Sequence, residues 1–548
     1  MIVKNILITG GAGYIGTNIS AKLLEQGYNV FVVDNFSNSK PAYINSLKTH
    51  FADKLTIFEF DMFETEKLEN LLVSNKIDMV IHLSGKKYVA ESFFQSNEYE
   101  KQNVFMTKNL LHLMTKCGIK KLVFSSSITV YGNPQTIPVD ENAIYAPLSP
   151  YAKNKMDCEK LIFEWSKQTG FGATILRLSN PIGANTKFLL GDDAKNTKYQ
   201  GVVPYIVSQI KNGYELQFNG NNHPTRDGTT IRDYVCVEDV ATAFVLATEH
   251  CQNGFGVYNI GSGGQGISVL EILTSAQKLL RKTAKYSFGP KRDGDISIFV
   301  ANTKKAKEQL GFESKFSLDD MIQSHIVFKD KKSEWYMEQK ARCKKALEYL
   351  KQLYPNPVCE LEFETPFQML ISVILSAQCT DARVNKVTKV LFADYGTPEQ
   401  LAKAEQQDIE KIIYSCGFYH NKAKNIIACS KDICERFAGQ VPNTLEQMQT
   451  LAGVGRKTAN VVYSLAFDGD AIAVDTHVFR TSNRLKIGVG NTPEQVEKAL
   501  MKNFDKSEWS KLHYRLVLFG RYNCKSQNPN CETCGLKEIC SYFAEKNK

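Results

Sequence analysis

From Met1 to about Val130, short apolar runs alternate with longer amphipathic stretches. Residues 6–9, 30–34, 55–60, 79–83 and 122–126 each read as a buried strand, with a helix-length segment before the next. Strands alternating with helices build parallel βαβ units, so the pattern predicts an α/β, Rossmann-type, doubly wound parallel sheet. Further segments of both kinds run to about Leu318, with turn-rich insertions at 191–198 and 220–228, and predict a small C-terminal substrate lobe. After Ile322 the texture changes. Phe328-Lys329-Asp330-Lys331-Lys332-Ser333-Glu334 is a polar, charged run suited to an exposed connector. From Met337 onward strand signals nearly vanish, while residues 341–353, 367–375, 445–451 and 457–465 space their apolar positions helically. The expected layout is one domain at 1–326, a linker at 327–336 and a separate all-α domain at 337–548.

A chain of 548 residues exceeds the size at which one hydrophobic core stops growing, in keeping with more than one domain. Hydrophobic content of 43% and charged content of 23% are those of an ordinary globular protein, and no run of eighteen apolar residues is present to span a membrane. The apolar start runs straight into glycines and reads as a first strand, not a signal peptide, so the expected location is cytoplasmic. Of fourteen cysteines, ten are scattered and are expected to be reduced, mostly buried thiols; only Cys524, Cys531, Cys534 and Cys540 cluster. From Tyr336 on, 29 basic and 24 acidic residues supply +5 of the net +9, which permits nucleic-acid binding without establishing it.

Thr9-Gly10-Gly11-Ala12-Gly13-Tyr14-Ile15-Gly16 follows a strand and opens a helix. Glycines there let the backbone approach a pyrophosphate, whose charge meets the helix N-terminus. Asp34 ends the second strand, where a carboxylate accepts both ribose hydroxyls and repels a 2′-phosphate, favouring NAD over NADP. Tyr151 and Lys155 lie four apart, on one helix face. A tyrosine is a poor base near neutrality; an adjacent ammonium and a positive nicotinamide both favour the phenolate, which can then take a hydroxyl proton. Ser125-Ser126-Ser127 upstream places a hydroxyl, Ser127, beside the same substrate oxygen.

These motifs resemble the extended short-chain dehydrogenase/reductases, and within them the UDP-glucose 4-epimerases. The matching text includes Ser125–Gly132, Ser149–Lys155, Asn180-Pro181-Ile182-Gly183, Asp227–Tyr234 and Lys291–Asp295, across about residues 1–325. The resemblance implies cofactor contacts from Gly10, Gly13, Tyr14, Ile15, Gly16, Asp34, Asn35, Asp61, Met62, Lys87, Asn103, Tyr151 and Lys155, with Ser127, Tyr151 and Lys155 catalytic. It implies substrate contacts from Asn180, Arg232, Arg292 and Asp295, the two arginines clamping the diphosphate of a UDP-sugar through paired donors. The implied reaction oxidises the sugar at C4 and returns hydride to its other face. A nucleotide-sugar dehydratase is the rival on the same scaffold, but Ser127-Ile128-Thr129 holds no carboxylate where dehydratases place an acid pair. Leu178-Ser179 and Gly201 depart from the family pattern, and Phe299 stands where a bulky residue excludes N-acetylated sugars. Such epimerases commonly form homodimers. The non-enzyme alternative is an NAD-sensing interaction domain.

Cys524, Cys531, Cys534 and Cys540 are spaced C-x6-C-x2-C-x5-C, a set that can enclose an iron–sulfur cluster or a zinc ion. Upstream, Leu451-Ala452-Gly453-Val454-Gly455-Arg456-Lys457 joins two helical segments, and its glycines offer backbone N–H groups to a DNA phosphate. Lys457 sits just inside the second helix, whose positive end disfavours an ammonium; a neutral amine there can attack a sugar C1′. Asp475, in Val474-Asp475-Thr476-His477, can manage protons or merely cap the following helix. Together these resemble endonuclease III, a helix-hairpin-helix DNA glycosylase with a [4Fe-4S] cluster. The resemblance covers roughly the last two-fifths of the chain. It implies Lys457 as Schiff-base nucleophile, Asp475 as its carboxylate partner, Gln378, Gly453 and Gly455 at double-stranded DNA with damaged bases or abasic sites, and oxidised pyrimidines as substrates. It also implies the four cysteines as cluster ligands. The alternative is an iron–sulfur DNA-binding module without chemistry. No intermediate is common to the two halves, so independent activities are expected.

Overall fold

The computed structural model describes residues 4–192, 201–251, 254–291, 295–467 and 469–546, apart from the side chain of Trp335. The chain divides into two compact units, Met1–Ser333 and Glu334–Lys548. No helix among the described residues is long and apolar enough to cross a membrane.

In the first unit, β1 (Asn5–Thr9), β2 (Asn29–Asp34), β3 (Leu55–Glu59), β4 (Met79–His82), β5 (Lys121–Ser127), β6 (Gly172–Leu178) and β7 (Gly254–Ile260) form one sheet in the order β7-β6-β5-β4-β1-β2-β3. Every pairing is parallel, with Ile8 opposite Val32 on one side and Ile81 on the other. The five predicted strands lie within one residue of their expected ends. Alternate residues serve opposite faces. Ile6 and Ile8 pack with Ile19 and Leu23 of α1 (Tyr14–Glu25), while Leu7 and Val33 pack with Leu68, Leu110 and Ile162 on the other side. Ile162 belongs to α2 (Pro150–Thr169), which Ser149 caps by accepting the Ala152 N–H at 3.1 Å. Sheet order reverses between β1 and β4, where a parallel sheet opens a crevice beyond its carboxyl ends. A smaller lobe pairs Ile231–Arg232 with Ile298–Phe299 and Ile267–Ser268. The insertion expected at 191–198 lies mostly outside the described residues.

The expected linker at 327–336 is helical instead, because α3 (Leu318–Leu353) runs through it. The run contains no Gly or Pro, and its lysines and glutamate are good helix formers, so its charge marks exposure and not irregular backbone. Phe328, read as part of that connector, is 1% exposed, its ring 5.8 Å from that of Tyr43.

No strand occurs among the described residues of the second unit. Its elements include α4 (Pro366–Ser376), α5 (Asp381–Tyr395), α6 (Tyr419–Phe437), α7 (Arg456–Ala466), α8 (Thr476–Leu485) and α9 (Trp509–Tyr522). Thr-Pro pairs start three helices among the described residues of this unit, at Thr365-Pro366, Thr397-Pro398 and Thr492-Pro493; at the first, the hydroxyl accepts the Gln368 N–H at 3.1 Å. One apolar core gathers α4, α6 and α7; another gathers α8, α9 and the cysteine-bearing C-terminal loop.

Candidate active sites

In the first unit, the predicted nucleotide-facing groups collect beyond the carboxyl ends of the strands. Gly10 has φ +66°, and a Cβ there would stand 2.9 Å from the Ser84 backbone. One at Gly16 would stand 2.6 Å from Gly11 Cα, so only glycine lets α1 start this close to β1. Gly13 is the extended N-cap of α1, Tyr14 and Ile15 open its first turn, and Tyr14 Oη donates to the Gly183 carbonyl at 2.8 Å. Asp34 ends β2; its Oδ2 accepts the Ala12 N–H at 3.1 Å, and its Oδ1 the Phe36 N–H at 2.8 Å. Asn35 Nδ2 donates to Asp61 Oδ2 at 2.8 Å, beside the buried Met62. Asn103 grips the loop after β4, accepting the Lys86 N–H at 2.8 Å and donating to its carbonyl at 3.2 Å. Lys87 Nζ lies 5.4 Å over the Tyr88 ring.

Ser127 ends β5, and its hydroxyl acts on the Tyr151 phenol. Thr129 Oγ1 donates to Ser127 Oγ at 3.0 Å. Lys155, one turn beyond Tyr151, donates to the Ser125 carbonyl at 2.8 Å, with its Nζ 6.0 Å from the Tyr151 ring centre. Burial pushes the Tyr151 phenol up to about 12, with the Ser127 hydroxyl opposing it, and burial draws the Lys155 ammonium below its usual range. Desolvation is the largest influence on the phenol, so the protein's own groups leave it protonated near neutrality.

Of the substrate residues, Arg232 pairs with Asp295 at 2.8 Å, and Asn180 Nδ2 donates to the Asp233 carbonyl at 3.1 Å. Arg292 lies outside the described residues. Phe299 is 5% exposed in a small core with Ile128, Val130 and Tyr131, and Gly201 caps the helix Val202–Asn212. Two groups escaped sequence reasoning. Arg177 and Glu159, 2% and 0% exposed, form a buried ion pair under the Ser125–Ser127 strand end. His82 bridges Thr9 Oγ1 at 2.7 Å and Thr107 Oγ1 at 3.0 Å, and burial, with the Lys155 charge, pulls it down to about 3. A charged residue inside the apolar run Gly172–Leu178 was the readable signal for the ion pair.

In the second unit, Gly453 has φ +76°, and a Cβ there would stand 2.9 Å from Asn425 Cβ. Gly455 is the extended N-cap of α7, open on its outer side. Lys457 is exposed in the first turn of α7, which Arg456 anchors to Glu497 through contacts of 3.0 and 2.8 Å. Asp475 caps α8, accepting the Val478 N–H at 2.8 Å through one oxygen. Behind them, His513 of α9 is buried, its Nδ1 unpartnered among the described residues. Burial pulls His513 down to about 4; the Asp475 carboxylate opposes this and the Lys457 ammonium adds to it, so one imidazole feels both charges. Gln378, with φ +55°, shares a recess of about 250 Å³ with Gly453, Phe418, Asn421, Lys422 and Asn425. Phe418 was not foreseen: it has φ +58° and is 67% exposed. Lys422 turns inward and donates to the Leu375 and Ala377 carbonyls at 2.9 and 2.6 Å, holding the turn that presents Gln378.

Cys524, Cys531, Cys534 and Cys540 line a single cavity with Leu485 and Phe519. Arg484 Nη1 donates to Cys524 Sγ at 3.4 Å, and Arg480 to the Cys524 carbonyl at 3.1 and 3.2 Å. No three His, Cys, Asp or Glu side chains among the described residues are gathered as one metal ion would need. Burial, followed by the three neighbouring thiols, raises Cys534.

A glycine turn after β1 and a Ser-Tyr-Lys set after β5, at the same end of one parallel sheet, are the marks of a dinucleotide-dependent enzyme; a glycine hairpin leading into a helix with Lys457 in its first turn is the mark of a helical DNA-repair unit. Residues 6–261 match the NAD dependent epimerase/dehydratase family, and residues 371–506 match the HhH-GPD superfamily base excision DNA repair protein. The chain is 38% identical to the UDP-glucose 4-epimerase of Bacillus subtilis (strain 168) over 321 residues, 58% of this chain and 94% of that protein. It is 35% identical to the Yersinia pestis UDP-glucose 4-epimerase over 336 residues, 60% and 99% of the two chains. Among solved structures, the Bifidobacterium longum UDP-glucose 4-epimerase in complex with NAD+ and UDP superposes with a TM-score of 0.57 at 34% identity, covering 60% of this chain and 98% of that one. The chain belongs to the NAD dependent epimerase/dehydratase family and is a fusion carrying an HhH-GPD base excision repair domain behind it.

Proposed function

We propose that the first unit is a UDP-glucose 4-epimerase and the second a bifunctional DNA glycosylase and abasic-site lyase. The first reading rests on Ser127, at the end of β5, acting on the Tyr151 phenol, with Lys155 one turn on and donating to the Ser125 carbonyl. The glycine cradle of Gly10–Gly16, Asp34 at the end of β2, and Asn35 with Asp61 fit NAD, which would supply the hydride acceptor and donor. As the phenolate, the form a bound positive nicotinamide would favour, Tyr151 takes the proton from the sugar O4 while Ser127 orients that oxygen, and the resulting phenol returns it after the 4-keto sugar turns over. Arg232, released from Asp295, pairs with the diphosphate. Conversion of UDP-galactose to UDP-glucose by the full chain, reduced by 10²-fold or more in Tyr151→Phe, tests this; an unaffected variant removes Tyr151 from the chemistry.

The second reading rests on Lys457 and Asp475 both acting on one buried imidazole, with Gln378 and Gly453 sharing a recess. The hairpin N–H groups take a phosphate, and the exposed Gln378 and Phe418 enter the stack a nucleotide vacates on rotating outward. The Lys457 amine attacks C1′, the glycosidic bond breaks and the base leaves; β-elimination then breaks the 3′ C–O bond and expels phosphate. Oxidised pyrimidines are the proposed lesions. The four cysteines lining one cavity, with Arg484 donating to the Cys524 sulfur, are the proposed ligands of a [4Fe-4S] cluster. Borohydride trapping on abasic DNA should give a covalent adduct that vanishes in Lys457→Ala. An adduct that persists, or none with the native chain, refutes the lyase.

A further inference from the structure

We propose that Cys379 and Cys416 form a reversible thiol–disulfide site that staples the two turns bearing Gln378 and Phe418 and weakens capture of an abasic site. The Cys379 S–H points at Cys416 Sγ across 3.8 Å. Cys379 directly follows Gln378, and Cys416 lies two residues before Phe418; both of these exposed side chains line the recess. The turns already meet, since a Cβ at Gly417 would stand 3.7 Å from the Gln378 carbonyl. A disulfide of about 2.0 Å requires an approach of roughly 1.8 Å, which two surface turns can absorb.

The chemistry is asymmetric. Cys379 is half-buried and reachable from solvent, while Cys416 is buried and held protonated, pushed up to about 11 by burial and by the neighbouring thiol. With a hydroperoxide as oxidant, the Cys379 thiolate attacks one peroxide oxygen, the O–O bond breaks, and a sulfenic acid and water result. Cys416 sulfur then attacks Cys379 sulfur, the S–O bond breaks, and a second water leaves with the thiol proton. Two thiols and one hydrogen peroxide thus become one disulfide and two waters. Stapled turns hold Gln378 and Phe418 away from the positions a kinked duplex needs, and about 1 Å of misplacement is expensive at such a site.

The effect on DNA rests on the reading of the second unit as an abasic-site enzyme; the disulfide does not. The full chain, reduced and then given a slight excess of hydrogen peroxide, should yield a Cys379–Cys416 cross-linked peptide that dithiothreitol reverses. Affinity for a duplex carrying a tetrahydrofuran abasic analogue should fall at least about tenfold on oxidation and recover on reduction. Cys379→Ala and Cys416→Ala should bind like the reduced chain and ignore peroxide, whereas damage at the four terminal cysteines would persist in both variants. Absence of the linked peptide, or an equal response in the variants, overturns the proposal; a link that leaves affinity unchanged overturns the staple. A reduced chain that fails to bind the duplex counts against the lyase reading, and the linked peptide still decides the thiol pair.

Discussion

Glu159 carries an unusual share of the first unit's stability, and glutamine in its place should reveal it. The Arg177 Nε donates to both Glu159 oxygens at 3.1 Å and its Nη2 to one at 2.6 Å. Tyr145 Oη donates to the same carboxylate at 2.8 Å, and Ser126 Oγ also donates to it. Side chains that are 2% and 0% exposed have no water to fall back on. Glu159→Gln keeps the shape, removes the charge and turns an amide donor toward other donors, leaving a buried guanidinium unpaired at about 3–5 kcal/mol. Glu159→Leu with Arg177→Met removes both charges. Its cost is set mainly by the orphaned Ser126 and Tyr145 hydroxyls, about 1 kcal/mol each, because Tyr131 keeps its 2.7 Å bond to Asn259. Scanning calorimetry on the full chain, with the first unit's transition identified by its rise on adding NAD, should show Glu159→Gln falling by about 6–10 °C and the double variant by less. A single variant within about 1 °C of the native chain, or a double variant worse than the single, would show that the pair is not the buried, mutually dependent unit described.

Three further outcomes follow from particular contacts. His82 is held down to about 3 when folded but titrates near 6.5 when unfolded, so its contribution is complete above about 6.5 and fades as pH falls toward 3; a stability–pH profile that His82→Gln does not flatten in that window would contradict this. Asp475→Asn should leave the second unit's stability within about 0.5 kcal/mol, since asparagine caps a helix as well as aspartate does, yet lower base release by about 10²–10⁴-fold; equal losses in both would reduce Asp475 to a cap. Gly453→Ala should weaken abasic-site binding and cost about 1–2 kcal/mol, because φ +76° and Asn425 at 2.9 Å both resist a methyl group; denaturation and anisotropy on the full chain check it.

The alternation of apolar runs determined the parallel sheet, because a strand buried on both faces must be almost wholly apolar, and the glycine turn after β1 could be located for the same kind of local reason. The hairpin at Gly453–Gly455, the Tyr151–Lys155 spacing and the terminal cysteines were likewise visible, since each is a short-range pattern. What charge meant at Phe328–Glu334 was not visible: the same lysines and glutamate serve a helix as well as a loop, and tertiary packing of Phe328 decided for the helix. Only the fold brought Arg177 to Glu159, Cys379 to Cys416 and Phe418 to the recess of Gln378, because residues from 18 to 40 positions apart meet through packing that no local pattern encodes. The ionisation of Tyr151 also belongs to the tertiary structure. Spacing placed an ammonium one turn away, but burial, set by everything packed around Tyr151, raised the phenol.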